Sequence, residues 1–445
     1  MSWVSWPTSS GASETVPSAA PRASDRLDAH AWDTAHARLV ESLRALIAIP
    51  SINPPDPPGA ELEAARWIAA ALADAGLRPD LYEPFPGRGS VVARLHGDGT
   101  GGEPLLLLSH LDVVPAPPAD WTHDPFAGDV ADGYVWGRGA VDMKDLTAME
   151  LEVVRLLADE TRRAGRDPAS DPVPGLRRDI LFASTADEEA GGHEGIGWLV
   201  DHHPEHLRAA GAINESGAVS VTVGDRRLYP IGVAEKGYVV YRIAVRGTWG
   251  HGSMPRADNA AVLAARVVAA LGALCEERHA RVARALVRDT ISPDVIHSGI
   301  KYNVIPGDAV IELDCRPLPG TTEPEMRAAI LERIGPELAA ACELEEVMSA
   351  PPVEAPLGSE LYRVLEATVR DHDPAGVPLP FMVPFATDAK HLERLGVPSY
   401  GFSPLRMDPA ESYLERFHGV DERVSLDALR WGLPVLYDAV RRFCG

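Results

Sequence analysis

The sequence predicts an α/β fold in two domains: a central, mostly parallel sheet flanked by helices, and an inserted ferredoxin-like α+β unit. The length of 445 residues exceeds what one hydrophobic core usually supports. Strands and helices alternate over residues 31–236, which favours a layered α/β architecture. Near residue 237 the order changes to β-α-β-β-α-β, which is that of the ferredoxin-like split unit.

The first part of the chain reads as two helices followed by strands. Apolar positions at helical spacing predict a helix from about residue 31 to 48, which the proline-rich IPSINPPDPPG ends. A second helix, ELEAARWIAAALADAGL, stops at Gly76. SVVARLHG, PLLLLSHLDVVP and DILFASTA predict strands, and the last two are continuous apolar runs typical of buried strands. A helix over residues 144–159 and a polar surface loop over 161–178 lie between those two.

The second part of the chain predicts the inserted unit and the return to the first domain. Its strands are GYVVYRIAVRG, TISPDVIHSGI, DAVIELDCRPL and ELEEVMS, and its helices DNAAVLAARVVAALGAL and EPEMRAAILERIGPELAAAC. APPVEAP predicts a linker, followed by a helix, the strand PSYGFSP and a final helix over 425–444. We expect a mobile, Ser-, Pro- and Ala-rich arm at 1–30, a first domain at 31–236 and 351–445, and an inserted domain at 237–350.

Bulk composition excludes several classes of partner. The net charge of −23 argues against nucleic acid or an anionic membrane as the main partner. No apolar run is long enough to span a bilayer, and the first residues do not resemble a signal peptide. The four cysteines form no CxxC pair, which indicates a reducing compartment; they are Cys275, Cys315, Cys342 and Cys444. We expect a cytoplasmic protein.

Polar residues that follow apolar runs are the first candidates for chemistry. His110 and Asp112 follow a predicted strand and stand two residues apart, so their side chains point to the same side of the extended chain. A metal-bound histidine commonly gives its second ring N–H to a carboxylate, although the HxD pattern alone is as compatible with a structural pair. Asp142 follows a glycine-rich turn and precedes a helix, where an isolated Asp is more often an N-cap.

The stretch TADEEAGG places two glutamates side by side. Glu188 and Glu189 project in different directions, so one could bind a metal while the other meets a water or the substrate. Crowded carboxylates have raised pKa values, which suits a general base, whereas surface acids are the simpler interpretation of the pair alone. Glu215 follows another short apolar run, and His418 lies in a polar turn.

Taken together, these positions supply two histidines and three carboxylates. The set with metal-ligand chemistry is His110, Asp142, Glu189, Glu215 and His418. Such a mixture suits zinc or a similar divalent ion. One shared carboxylate, with one histidine and one acid per metal, is what a two-metal hydrolase needs.

The order of the motifs resembles a known family. SHLDVVP, WTHDPF, GYVWGRGAVDMKD, TADEEAGG, NESG, HGSMP, NVIPGDAVIELDCR, GFSP and His418 occur in sequence. They resemble the zinc exopeptidase and deacylase family that includes aminoacylase, acetylornithine deacetylase, succinyl-diaminopimelate desuccinylase and glutamate carboxypeptidase. The resemblance runs from about residue 61 to the C-terminus, and so many long motifs in register do not arise by chance.

The resemblance implies two divalent metal ions per subunit, zinc with cobalt or manganese as alternatives. Asp142 resembles the carboxylate that bridges both ions, and the peptide bond after it is expected to be cis. His110 would pair with Glu215 on one ion, and Glu189 with His418 on the other. The usual second residue of the Glu-Gly-Gly motif is a serine here, which is small enough to leave the Glu215 assignment in place.

The same resemblance implies roles outside the ligand set. Asp112 would orient the first histidine ligand, and Glu188 would be the general base. His251 matches a histidine that steadies the oxyanion, often from the partner subunit of a homodimer formed through the inserted domain. Asn303 and Arg316 match residues that grip a substrate carboxylate, although Arg316 could equally serve an ion pair within the inserted domain.

The expected function is therefore hydrolysis of an amide bond by a co-catalytic two-metal site. The substrate would be an N-acyl amino acid or short peptide with a free carboxylate, as for an aminoacylase, dipeptidase or carboxypeptidase. Two alternatives stay open: a catalytically silent metal- or peptide-binding homologue, and a metallo-esterase or phosphoesterase on the same metal pair. Glu188 speaks against the first, because a silent protein has no need of a base.

Overall fold

A computed structural model describes residues 22–53, 60–272, 287–409, 411 and 416–445. The predicted arm up to residue 21, the end of the predicted helix over 258–274 and Cys275 lie outside these ranges. Within them, no helix is long and apolar enough to cross a membrane. The helices are α1 (Ala29–Ile47), α2 (Leu62–Asp74), α3 (Lys144–Arg163), α4 (Ile196–His202), α5 (Ala260–Gly272), α6 (Glu323–Ala339), α7 (Glu360–His372), α8 (Ala389–Leu392) and α9 (Leu426–Cys444).

The strands form one large sheet, one smaller sheet and two short ribbons. In chain order they are β1 (Asp80–Phe85), β2 (Arg88–Leu95), β3 (Leu105–His110), β4 (Val130–Ala131), β5 (Tyr134–Trp136), β6 (Ile180–Thr185), β7 (Gly211–Asn214), β8 (Val221–Val223), β9 (Arg226–Glu235), β10 (Tyr238–Arg246), β11 (Gly250–His251), β12 (Thr290–Ser298), β13 (Val304–Ile305), β14 (Asp308–Arg316), β15 (Cys342–Ala350), β16 (Val353–Glu354), β17 (Gly376–Val383), β18 (Ser399–Gly401) and β19 (Arg423–Ser425).

The large sheet is parallel at its centre and antiparallel toward its edges. Its order is β1-β2-β6-β3-β7-β18-β9-β16, with β8 and β17 also pairing with β9. β3 pairs in parallel with β6 and β7, β18 with β7, and β17 with β9, whereas the other pairs are antiparallel. The expectation of a mostly parallel sheet thus holds for the central strands only. Two-residue connections join β1 to β2 and β8 to β9, and a link that short permits only a hairpin.

Helices cover both faces of the large sheet, which explains the uninterrupted apolar run of β3. Leu105 and Leu107 pack into a core that contains α1, α2, α3 and α9. Leu106 and Leu108 face the opposite core, which includes residues of α4. Because successive side chains of a strand point to opposite faces, a strand buried on both sides needs apolar residues at every position.

The smaller sheet has its own core. β12, β14, β10 and β15 pair antiparallel in that order, and α5 and α6 pack on one face. Tyr241 and Ile243 of β10 and Ile311 and Leu313 of β14 are at most 1% exposed within this core. Numbered along the unit the strand order is 2-3-1-4, so the expected ferredoxin-like arrangement is present.

The predicted arm differs from the structure over residues 22–30. A short 3-10 helix over Ala23–Arg26 leads directly into α1, which begins at Ala29. The backbone N–H and the hydroxyl of Ser24 donate to the buried Asp438 carboxylate of α9, at 2.7 and 2.6 Å. A buried carboxylate requires donors, and Ser24 supplies two of them, so this part of the arm is docked rather than mobile.

The polar segment over residues 161–178 also has more structure than expected. Its first three residues extend α3 to Arg163. Further along, the backbone N–H groups of Arg177 and Arg178 donate to the carbonyl of Cys444, at 2.6 and 3.0 Å. The segment therefore packs against the end of α9.

Candidate metal centre

The first histidine of the site, His110, ends a buried strand and contacts Asp112, a carboxylate with several hydrogen-bond partners. The Nδ1 atom of His110 lies 3.1 Å from the carbonyl and 3.4 Å from the Oδ1 atom of Asp112. Asp112 is fully buried and accepts hydrogen bonds from the Asn53 amide and from the backbone N–H groups of Glu188 and Glu189, at 2.8, 3.1 and 2.9 Å. One carboxylate therefore positions both the histidine ring and the turn that carries the two glutamates.

Asp142 stands between the two histidines of the set. Its Oδ1 atom lies 3.3 Å from Nε2 of His110, and its Oδ2 atom lies 3.2 Å from Nε2 of His418. The peptide bond that follows Asp142 is cis. The buried Glu422 carboxylate accepts from the backbone N–H groups of Val141 and Asp142, which fixes the backbone beside this side chain.

The adjacent glutamates lie directly after β6 and face different partners. They begin a 3-10 turn that Asp187 enters with a left-handed φ of 75°. The Oε2 atom of Glu189 lies 3.2 Å from Nε2 of His418. The Oε1 atom of Glu188 instead lies 3.6 Å from the ammonium of Lys390. The turn therefore sends two neighbouring carboxylates in different directions.

The last carboxylate of the set follows β7. The Oε1 atom of Glu215 lies 3.8 Å from Nε2 of His110, and its Oε2 atom accepts from the Ser216 hydroxyl at 3.2 Å. His418 comes from a surface turn, and 54% of its side chain is exposed. His110, Asp142 and Glu215 are thus buried, Glu189 is half-buried, and His418 lies at the rim.

The side chains form two groups, and within each group the ligand atoms lie within 4.8 Å of one another. The groups are His110, Glu188 and Glu215, and Asp142, Glu189 and His418. Atoms bound to one tetrahedral zinc at 2.0–2.1 Å are about 3.3 Å apart, and several separations here equal that spacing. The Nε2 atom of His110 and the Oε1 atom of Glu189 are also buried, and neither has a hydrogen-bond partner among the residues that the structure describes. These residues fit a pair of divalent ions.

Burial and crowding set the charge balance of the site. Burial, reinforced by the Asp142 carboxylate, raises the pKa of Glu189 to about 7. Burial also raises the pKa of Glu188, although the Lys390 ammonium acts in the opposite direction. The pKa of Lys390 itself is raised, since Glu188 and Asp388 outweigh the effect of its burial. A lysine that stays charged thus compensates part of the negative charge.

A second buried network, centred on Arg88, connects β2 to the turn that carries Glu188 and Glu189. Arg88 of β2 contacts the carboxylates of Glu61, Asp187 and Glu194 at 2.5, 3.2 and 2.9 Å, and its side chain is only 6% exposed. Asp187 also accepts from the backbone N–H of Glu194 at 2.8 Å. Asp187 therefore anchors the turn to β2 and faces away from the two ligand groups.

Sequence reasoning missed four residues that contact the site: Asn53, Arg88, Lys390 and Glu422. A signal for Glu422 was within reach, because it lies four residues after the predicted ligand His418. Arg88 and Asn53 carry no such signal, since each lies far in sequence from its partners.

The remaining predicted site residues lie in the inserted unit. β11, which contains His251, pairs with β13 immediately after Asn303, and the exposed His251 ring contacts the Ser253 hydroxyl at 2.8 Å. The Oδ1 atom of Asn303 is buried and has no hydrogen-bond partner. Arg316 makes a two-point contact with Asp314, at 2.7 and 2.8 Å, which is the ion pair considered as its alternative role.

The α/β fold with its inserted unit and this donor set define a metal-dependent hydrolase. A model of Peptidase family M20/M25/M40 matches residues 106–442, and the chain belongs to this family. Its members act on amides or peptides, and metal-dependent hydrolysis is accordingly the class of reaction of this chain.

Relatives of known type agree with this assignment. Aminoacylase-1 of Sus scrofa is 28% identical over 419 residues, which cover 89% of this chain and 96% of that protein. The N-fatty-acyl-amino acid synthase/hydrolase PM20D1 of Xenopus tropicalis is 26% identical over 442 residues, covering 88% and 83%. The metallo-carboxypeptidase Sso-CP2 of Sulfolobus solfataricus, an M20 family structure, superposes with a TM-score of 0.70 at 16% identity, covering 91% and 99%. The last of these supports the fold alone.

Proposed function

We propose that this protein hydrolyses the amide bond of N-acyl amino acids or short peptides with a free carboxylate, at a site that holds two divalent ions. The single observation that carries the proposal is the position of Asp142. Its two carboxylate oxygens face the Nε2 atoms of two different histidines, at 3.3 and 3.2 Å. A carboxylate shared in this way is the element that distinguishes a two-metal site from a single-metal site.

The proposed ligands divide the site between the two ions. His110 and Glu215 would hold one ion and Glu189 and His418 the other, with Asp142 contacting both. We propose zinc, with cobalt or manganese as alternatives, because imidazole and carboxylate ligands suit these ions. When bound, such ions supply Lewis acidity, which polarises a carbonyl oxygen and lowers the pKa of water.

Glu188 is the proposed general base. Its carboxylate belongs by distance to the group of His110 and Glu215. The cation nearest to it is the Lys390 ammonium at 3.6 Å, and none of the described histidines forms an ion pair with it. It would accept the proton of the attacking water and pass it to the nitrogen of the leaving amine. Lys390, which also donates to the Thr387 carbonyl at 2.9 Å, would hold the carboxylate in place through both steps.

His251 is proposed to donate to the oxyanion from a partner subunit. It is exposed, and large apolar side chains that are also exposed flank β11 and precede β13 in the sequence. These are Trp249, Met254, Ile300 and Tyr302, which are 50%, 66%, 79% and 95% exposed. Such a surface favours a homodimer through the inserted unit, with a second copy of this chain as the occupant. Asn303, through its side-chain N–H donors, and Arg316, through its guanidinium, are the proposed contacts for the substrate carboxylate.

A substrate panel tests the reaction class. The zinc-, cobalt- or manganese-loaded protein is offered N-acyl amino acids, dipeptides, carboxyl esters and phosphoesters. The matched controls are N-acyl amino acid amides, in which the free carboxylate is blocked. We expect hydrolysis of amides with a free carboxylate and little hydrolysis of the blocked controls. Hydrolysis of esters alone would point to a metallo-esterase, and no hydrolysis by fully loaded protein would point to a silent binding protein.

Two neighbouring substitutions separate the base from the ligands. Glu188→Gln is expected to lower kcat by about 10²–10⁴-fold, the usual contribution of a general base, while both ions stay bound. Glu189→Gln is expected to remove one ion, because it takes away a carboxylate that faces His418 at 3.2 Å. Metal content by mass spectrometry and turnover of the best substrate are measured on both variants. If Glu188→Gln loses an ion as well, Glu188 is a ligand and another group is the base.

A further inference from the structure

A second cluster of metal-ligand side chains lies outside the proposed catalytic site. His203, Glu205 and His206 each offer a ligand atom, and these atoms lie within 4.8 Å of one another. None of the three belongs to the two catalytic groups. We propose that this cluster, called here the HPEH site after its sequence, binds a transition-metal ion of the zinc or copper(II) type.

The backbone presents the three side chains from one tight turn. Pro204–His206 forms a 3-10 helix, with the proline at its first position, where its fixed φ suits the helix. The backbone N–H of His206 donates to the carbonyl of His203 at 3.1 Å, which closes the turn between the two histidines. The Nδ1 atom of His203 already lies 3.2 Å from the Oε1 atom of Glu205, close to the spacing of about 3.3 Å between two ligands of tetrahedral zinc.

Aromatic packing holds the imidazole rings in place. The ring of Tyr82, on β1, lies 4.4 Å from the ring of His203, and its hydroxyl lies 2.9 Å from Nε2 of His206. Trp198 of α4 also packs against His203, at 5.4 Å between ring centroids, and its ring lies 5.7 Å from that of Tyr82. Side chains restrained in this way lose less conformational entropy on binding a metal than free surface side chains do.

A second acid, Asp80, lies beside the cluster. A surface cleft of about 340 Å³ reaches Glu205, His206 and Asp80, and the Oδ2 atom of Asp80 lies 3.9 Å from Nε2 of His206. Arg78 and Arg94 also line the cleft, and Arg94 is engaged by Asp179 at 2.7 Å and by the Glu205 carbonyl at 3.3 Å. Two imidazoles and a carboxylate suit zinc, copper(II), nickel and cobalt rather than calcium or magnesium.

Metal stoichiometry tests the proposal directly. Protein with its catalytic ions in place is dialysed against micromolar zinc, and bound zinc is counted by mass spectrometry. We expect His203→Ala/His206→Ala to hold one zinc per chain fewer than the wild type, with unchanged hydrolysis of the best substrate. The matched control is His202→Ala, which removes a neighbouring histidine that stacks on Trp198 but lies outside the cluster. Equal zinc content in the wild type and the double variant would overturn the proposal.

Fluorescence supplies a readout that leaves the cluster intact. Copper(II) quenches nearby indoles, and Trp198 is the indole beside His203. Titration of the wild type with copper(II) is expected to give a saturable quenching phase that Trp198→Phe abolishes and excess zinc reverses. The absence of that phase in the wild type would also overturn the proposal. This second measurement does not depend on the folding of the double variant, or on the proposed catalytic function.

Discussion

At the scale of single residues, buried charges hold the turn with Glu188 and Glu189 between the two ligand groups and the sheet. Asp112 receives the backbone N–H groups of both glutamates from one side. Arg88 contacts Asp187, the residue before them, from the other. The carboxylates around Arg88 are buried or partly exposed, so the Arg88 guanidinium compensates negative charge that water solvates poorly.

Replacing Arg88 is expected to be costly. Arg88→Met leaves the buried carboxylates of Glu61 and Asp187 without their cation, so the free energy of unfolding should fall by about 3–5 kcal/mol. Urea unfolding of the metal-loaded protein measures the change. The control is Arg394→Met, which breaks an exposed pair with Asp201 and should cost less than about 1 kcal/mol. Similar losses in the two variants would show that the Arg88 network is not a special support of the turn.

The sequence predicted the residues of the two groups because each belongs to a motif with its own local pattern. His110 ends an apolar run, and Glu189 follows another. Lys390 is different, because its importance comes from Glu188, a residue some two hundred positions away. A lysine that is 5% exposed cannot be told from a surface lysine by its neighbours in sequence alone.

At the scale of elements, the strands that were predicted are those with uniform apolar runs or clear alternation. The pair formed by β9 and β17 was not predicted. β9 contains a proline and begins with two arginines, and β17 contains two prolines, so neither shows the usual strand pattern. Their pairing joins residues far apart in the chain, and only the tertiary structure reveals it. The ferredoxin-like unit was predictable because its strands and helices alternate locally.

The hydrogen bonds between β9 and Asp373, the residue after α7, predict how the stability of the fold depends on pH. Asp373 accepts from Arg227 at 2.5 and 2.9 Å and from the Tyr229 hydroxyl at 2.8 Å. Arg227, with a further contribution from Tyr229, lowers the pKa of Asp373 to about 2. A carboxylate with a lowered folded-state pKa stabilises the fold above its unfolded value near 3.9, and the effect is lost as the pH falls toward 2.

Asp373→Asn is therefore expected to cost about 2 kcal/mol of unfolding free energy at pH 7. The difference from the wild type should be the same at pH 5 and about half as large at pH 3. Denaturant unfolding of both proteins at the three pH values measures it. The partly exposed surface pair of Arg242 and Glu312 provides a control, since Glu312→Gln should change stability by less than about 1 kcal/mol. A constant difference from pH 7 to pH 3 would contradict the assigned pKa.

At the scale of the whole molecule, the two sheets have separate cores, and all five proposed ligands lie with the larger sheet. The core around α5 and α6 shares no residue with the cores of the large sheet. If the two units unfold independently, a bound metal ion stabilises only the unit that contains its site.

Chelation is thus expected to affect one part of the molecule selectively. Removal of the metal ions should lower the melting temperature of the larger unit, because binding at 100 times Kd contributes about 2.7 kcal/mol. The transition of the inserted unit should move little. Differential scanning calorimetry with and without a chelator measures both transitions. A parallel shift of the whole profile would mean that the two units unfold as one.

The carboxylate of Asp142, placed between two histidines, also bears on how the protein would acquire its ions. Two dications that share a ligand would repel each other, so the second would bind more weakly than the first. Uptake would then be stepwise, with a tighter and a weaker equivalent. Where metal is scarce the prevailing species would be half-loaded and inactive, and activity would rise only as the second equivalent binds. The supply of metal would in this way set the rate of the enzyme.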